Sequence, residues 1–418
     1  MNGPRLEIRL DQLLHNARSL RMQLAARGIT VMGVSKACLG LPEIVRTWAA
    51  AGIEAIGEPR IETIEALRAA GITLPMLLIR SPMLTQVQRV VAQASGSCNS
   101  EPQVLRALAA AARQQGRRHG VLLMVELGDL REGILPADLE AVAQLTLEQP
   151  ALKLLGIGTN LGCQHGIAAD SRNMAELSAL ATALERRFGL RLEIVSGGNS
   201  SNLPWLAAGH PPGRINHLRL GEALLLGREP LGRSALSGLH TGAFTLVAEI
   251  IEAKVKPGQP WGERGQTSFA AVATPAGRPA SSRQRALLAL GVQDVDPAGL
   301  SAAAGIRVVG ASSDHLVVEA DQPLAVGEEL RFGLDYSALL RAMTSPFLER
   351  VCLGGDNLEN DNLEDDKHED ANLLSNNLQG NKLQDDRPGD DARRRPSSQV
   401  QAQALRTADR FSPAGSRG

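Results

Sequence analysis

The stretch Ile29-Thr30-Val31-Met32-Gly33-Val34-Ser35-Lys36 decides the fold. It is a short apolar run without polar alternation, the pattern of a strand buried on both faces of a parallel sheet. A lysine closes it. That places the ammonium where α/β barrels assemble their active sites. A desolvated amine there can lose its proton and condense with a carbonyl, the chemistry of a Schiff-base lysine. The competing reading is a lysine that lays its stem over the strand end and keeps its charge in water.

Similar runs recur outward from this one, and strands are expected at 30–36, 53–57, 75–80, 95–99, 119–127, 152–160, 191–197 and 217–226. Helical patterns fill 42–51, 60–70, 101–115, 137–147 and 171–188, and a first helix over 10–27 precedes them. Alternating strands and helices imply parallel strands joined by right-handed crossovers. Eight such units match a TIM-type (β/α)8 barrel over residues 1–232, with a doubly wound open sheet as the alternative.

Past residue 240 the texture changes. Short apolar runs at 243–256, 286–292, 306–309, 316–319 and 328–334 are separated by Pro257-Gly258, Pro275-Ala276-Gly277 and Pro297-Ala298-Gly299. This predicts a smaller, mostly-β domain over 233–353. Residues 354–418 form a low-complexity tail with a degenerate five-residue repeat (DNLEN, DNLED, DKHED, ANLLS, NNLQG, NKLQD). Over 354–391 it carries 12 Asp/Glu against 3 Lys/Arg, so self-repulsion favours disorder over a stacked solenoid.

A net charge of −1 without a basic cluster argues against nucleic acid as a partner. The four cysteines are widely spaced with no C-x-x-C pair, which suits free thiols in the cytoplasm and no metal site. No apolar run reaches the length of a membrane span. Tyr336 is the one tyrosine, so chemistry that needs a phenol has one candidate within a subunit.

Several polar segments fall where the expected strands end. Ser196-Gly197-Gly198-Asn199-Ser200-Ser201 offers backbone N–H groups and hydroxyls as an anion cradle, or is an ordinary serine-capped loop. Asn216-His217-Leu218-Arg219-Leu220-Gly221-Glu222 aims Arg219 into an apolar barrel, where a guanidinium needs an acceptor. A pyridine nitrogen is one such acceptor, and an ion pair with Glu222 or Glu193 is the other explanation. Asp129-Leu130-Arg131-Glu132-Gly133 and Gly156-Ile157-Gly158-Thr159-Asn160 end two further strands.

The order of these pieces resembles the fold-type III pyridoxal-phosphate enzymes of the alanine/ornithine racemase family, nearest to the ornithine racemase branch. The residues that carry the resemblance are Val34-Ser35-Lys36, 128–133, 156–161, 196–201, 218–222 with 226–228, 310–315, and Tyr336 with 342–346. The resemblance implies a racemase that inverts the α-carbon of a free amino acid, with a basic one such as ornithine or lysine ahead of alanine. By the same resemblance Lys36 would bind pyridoxal 5'-phosphate covalently and act as one base. Ser200, the Gly221 backbone and Tyr336 would hold its phosphate, and Arg219 would face the ring nitrogen. Arg131 would meet the substrate carboxylate, Asn160 and Asn199 would line the pocket, and Asp314 would enter from the partner of a head-to-tail homodimer.

One departure matters. Where alanine racemases carry a catalytic tyrosine in a Tyr-Gly pair, this chain has Trp261-Gly262, and indole has no proton of useful acidity. Cys163, His165, Glu263 and His315 are the candidates for the opposite-face acid/base, with Cys163 first. Lys36 acting on both faces through a water is a further alternative. The rival functions are a non-catalytic carrier of the cofactor and a decarboxylase on the same scaffold.

Overall fold

The computed structural model describes residues 3–263 and 282–355. The five-residue repeat and the rest of the expected disordered tail from residue 356 lie outside the described residues. Strand β1 (Arg5–Arg9) runs directly into helix α1 (Leu10–Ala25). The barrel strands follow: β2 (Thr30–Val34), β3 (Ala55–Glu58), β4 (Met76–Leu78), β5 (Gly96–Asn99), β6 (His119–Met124), β7 (Leu152–Gly158), β8 (Ile194–Ser196) and β9 (His217–Leu220). All pair in parallel and in sequence order, and β9 closes on β2 with Thr30 opposite His217. An open sheet is thereby excluded.

The crossovers carry α2 (Pro42–Ala50), α3 (Ile61–Ala69), α4 (Val87–Gln93), α5 (Pro102–Gln114), α6 (Leu139–Leu147), α7 (Ser171–Phe188) and α8 (Leu203–Ala207), and α9 (Glu222–Leu226) follows the last strand. Local chemistry sets their ends. Asp170 and Asn173 form a reciprocal capping box at the start of α7, and Gly189 closes it at φ 62°. Strand alternation then divides two cores. Val121 and Leu123 face the helices, whereas Leu122 and Met124 join Met32, Leu77 and Cys98 in a cluster inside the barrel. The wall is tight at β7, where a Cβ on Gly156 (φ 157°) would lie 1.7 Å from the Ile194 carbonyl oxygen.

One expected strand is two elements. The span 217–226 leaves the sheet at Leu220, turns at Gly221 and continues as α9. An apolar run buried all round has no period that separates strand from helix, and the Leu225 N–H to Gly221 carbonyl bond decides it.

The second domain adds β10 (Phe244–Lys256), β11 (Arg283–Leu288), β12 (Leu300–Ala302), β13 (Ile306–Ala311), β14 (Leu316–Ala320), β15 (Glu329–Leu334), α10 (Tyr336–Thr344) and β16 (Glu349–Leu353). Its sheet runs β12-β15-β10-β11-β14-β13, with β1 antiparallel to β10 and parallel to β16. Residues 5–9 fall in the span expected to belong to the barrel, yet they are a strand of this sheet, with Leu6 and Ile8 fully buried. Among the described residues no helix is long and apolar enough to cross a membrane.

Candidate active site

Lys36 follows β2 as the first residue of a single 3-10 turn, Lys36–Cys38, so the sheet ends just before it. Its half-buried amine stands 5.8 Å from the centroid of the Tyr336 ring, which α10 brings to the barrel mouth. A cavity of about 480 Å³ opens there, within the range of small-molecule sites. It is lined by Lys36, Arg131, Asn160, Cys163, Asn199, Ser200, Arg219, Gly221 and Tyr336 among others. Of the ten residues given a first-choice role from the sequence, nine therefore meet in one place, whereas the second-choice candidates His165 and His315 do not line it. Nor does Asp314. It lies between β13 and β14, with a side chain 70% exposed and bonded to His315.

Arg219 is 4% exposed on β9 and has no carboxylate partner among the described residues. Of the two acceptors considered for it, Glu193 pairs with Lys153. Instead its guanidinium donates to the Thr159 carbonyl (2.7 Å) and to Ser196 Oγ (2.5 Å). Ser196 in turn lies 2.9 Å from His217 Nδ1. Burial, with the Arg219 charge beside it, pushes His217 down to about 3, so its ring is neutral. Arginine can only donate, so Ser196 accepts from Arg219, and its remaining lone pair and its proton let it meet the neutral His217 ring in either tautomer.

Three neutral or backbone donors stand at another wall of the cavity. Ser200 Oγ, 2% exposed, accepts from the Ala223 N–H (3.2 Å) and keeps its own proton for a guest. Gly221 turns the chain beside it, where a Cβ would crowd the Val34 carbonyl at 3.1 Å. Burial pushes the Tyr336 phenol well above its ordinary pKa, so it holds its proton as a hydrogen-bond donor.

The loops after β6 and β7 are clamped together by Asp129, a carboxylate 1% exposed. It accepts from the backbone N–H groups of Cys163 (3.2 Å), Gln164 (3.0 Å) and His165 (3.1 Å). Burial pushes its carboxyl up, but the backbone donors outweigh that and hold it below the usual value. This clamp fixes Cys163, whose sulfur accepts from Asn160 Nδ2 (3.2 Å) and Asn199 Nδ2 (3.6 Å). His165 is spent on the clamp, its Nδ1 lying 2.8 Å from the Asp129 carbonyl. Arg131 makes a two-pronged ion pair with its neighbour Glu132.

Residues 8–229 match the family model described as alanine racemase, N-terminal domain. The chain belongs to the alanine racemase family. It is 38% identical to the lysine racemase of Thermotoga maritima over 352 residues, 83% of this chain and 98% of that protein. It is 34% identical to the ornithine racemase of Acetoanaerobium sticklandii over 355 residues, 84% of this chain and 99% of that one. Among solved structures, an alanine racemase from D-cycloserine-producing Streptomyces lavendulae superposes with a TM-score of 0.66 at 21% identity, over 85% of this chain and 98% of that one. A D-threonine aldolase from Filomicrobium marinum gives 0.66 at 17%, over 84% and 91%, so the scaffold alone does not name a reaction.

Family membership makes the protein a pyridoxal-phosphate-dependent amino acid racemase. The cavity's donor set fits that group: a lysine amine, hydroxyl and backbone donors suited to a phosphate, and a buried guanidinium that bonds to no carboxylate among the described residues. When bound, the cofactor supplies an electron sink that acidifies the α-C–H of an attached amino acid.

Arg233 and Ser337 line the cavity without any signal in the sequence, and Glu222, considered above as an acceptor for Arg219, lines it as well. Burial pushes Glu222 up to about 7, with Asp335 and Glu229 adding like charge nearby. Arg233 sits at φ 57° and pairs with Asp335 (2.7 Å). A non-glycine residue in that conformation gives no local sequence signal. Trp261 is 92% exposed and lines no part of the cavity.

Proposed function

We propose that this enzyme interconverts the mirror forms of a free basic amino acid, ornithine or lysine, with Lys36 and Cys163 as the two proton carriers. The observation that carries the reading is one cavity lined by an amine, an anion-binding wall and a thiol held by two amides. Support for a basic substrate comes from the two relatives named for lysine and ornithine, whose lengths this chain spans almost completely.

On this reading Lys36 bears the cofactor and exchanges the α-proton on one face. Ser200, the Gly221 N–H and Tyr336 hold the phosphate, and Arg219 faces the ring nitrogen. Asn160 and Asn199 line the pocket while Arg131 takes the α-carboxylate. Tyr336 keeps its proton through the neutral range and Trp261 has none to give, so the second face falls to Cys163. In one direction the amine accepts a proton and the thiol donates one, and in the other the roles reverse.

A head-to-tail homodimer completes the site, with the partner's Asp314 closing it. Ile251, Val255 and Trp261, all exposed along β10 and the segment after it, suit such an interface. Four free cysteines suit a cytoplasmic location.

The test is α-proton exchange in heavy water with L-ornithine, L-lysine and L-alanine, followed by chiral chromatography. The expected result is α-deuterium and the D-isomer from the basic substrates. Lys36→Ala loses both, and Cys163→Ala exchanges the proton without inverting the centre. A carrier would give neither product and a decarboxylase would release CO₂, and either result refutes the reading.

A further inference from the structure

Arg131 and Glu132 are neighbours in sequence, and both side chains line the cavity. Adjacent residues on a regular element point apart, so this loop is shaped to bring them together. Leu130 takes φ 51° and Gly133 takes φ 154°, where a Cβ would meet the Glu126 backbone N at 2.4 Å. Glu126 Oε1 accepts from the N–H groups of Gly128 (2.5 Å) and Leu130 (3.0 Å), and Asp129 anchors the same loop to its neighbour. The pair is held from both sides, and it faces the guest.

We propose that the Arg131–Glu132 pair is the element that selects a diamino acid, Arg131 receiving the α-carboxylate and Glu132 the distal ammonium. This rests on the racemase reading and names the substrate class of the same site. The exchange of partners is its physical basis. An incoming carboxylate takes the guanidinium fork from Glu132. A diamino acid brings an ammonium to the released carboxylate, so one ion pair becomes two. A neutral amino acid breaks the same pair and leaves Glu132 facing nothing, which penalises the wrong guest.

The other carboxylates are unsuited. Glu58 is 1% exposed, is bonded to the Ser35 hydroxyl and does not line the cavity. Glu222 does line it, but at the Ser200–Gly221–Tyr336 wall, where burial favours its neutral form. Asp314 of the same chain is elsewhere. The Arg131 and Glu132 side chains are 39% and 27% exposed, so the preference will weaken as salt is raised.

Two unreactive ligands read the proposal apart from turnover. Calorimetry on the cofactor-loaded enzyme compares 5-aminopentanoate with pentanoate, which differ by the distal amine. The expected preference for the amine is about tenfold in wild type, the factor that one charge-assisted contact supplies, and it is erased in Glu132→Gln. In turnover, Glu132→Gln should lose kcat/KM for L-ornithine and gain it for L-norleucine, in which a methyl replaces the distal ammonium, because a neutral guest then has no ion pair to break. Retained amine preference in that variant overturns the proposal. So does an equal loss for both ligands, because Glu132 would then only hold Arg131 in place. Glu132→Asp, shorter by one methylene, should move the preference toward 6-aminohexanoate, and an unmoved preference also counts against it. If wild type racemises neither ornithine nor lysine, the function falls, while the ligand pair still decides the role of Glu132.

Discussion

Asp129→Asn isolates the clamp that holds the thiol loop. In the native chain Oδ2 accepts from Cys163 and Gln164, and Oδ1 from His165. The asparagine keeps the shape but has one acceptor oxygen. It can serve the two donors at the Oδ2 position, and its NH₂ then faces the His165 N–H. One bond to a charged group is lost and two become neutral bonds, about 3–4 kcal/mol in sum. The loss is local, because the barrel strands keep their ladders. Amide hydrogen exchange at 163–165 should accelerate by about 10²–10³-fold, since each 1.4 kcal/mol is a factor of ten. The native carboxyl is held below its ordinary value. Its contribution is therefore complete above the unfolded pKa and is lost as pH falls through the lower folded one. In urea unfolding the gap between wild type and variant should be constant above pH ~5 and close below pH ~4. Unchanged exchange at 163–165, or a gap that does not narrow as pH falls below the unfolded carboxyl's ~4, would refute the clamp.

Three further outcomes are expected. Gly156→Ala puts a methyl 1.7 Å from the Ile194 carbonyl, so the β7–β8 wall must open, and thermal unfolding should report a loss above about 3 kcal/mol or no soluble protein. Tyr336→Phe removes one neutral donor from the wall proposed to hold the phosphate, and a spectroscopic titration should show cofactor affinity reduced about tenfold with the barrel intact. Burial pushes Glu58 up to about 7, against the opposing pull of the Ser35 hydroxyl and the Lys36 charge. Cofactor-free enzyme should thus lose stability as pH rises from about 4.5 through 7, and Glu58→Gln should flatten that slope in denaturant titrations.

The barrel was legible because most of its strands are buried on both faces and read as apolar runs, several of them closed by Gly, Ser or Asn. Helix α7 was placed to the residue, since its capping box and terminal glycine are local signals. The same continuity misled at 217–226, where a strand and a helix share one apolar run. β1 was invisible because only Leu6 and Ile8 mark it, and its partners lie more than 200 residues away. At the site, Arg219 was legible as a buried charge in want of an acceptor. Its relay through Ser196 to His217 crosses two strands that no spacing rule connects.

The position of β1 has a consequence for how the chain is made. This strand sits between β10 and β16, with Arg5 opposite both Val247 and Glu349. A ribosome releases it ahead of every other described strand, yet one edge waits for β10 and the other stays unsatisfied until nearly the whole described chain has emerged. The barrel can close in sequence order on nearest-neighbour pairings, whereas the second sheet requires the longest loop closure in the molecule. A pause in synthesis before residue 349 should therefore leave a formed barrel carrying an open strand edge, the state in which newly made copies are most exposed to pairing with one another.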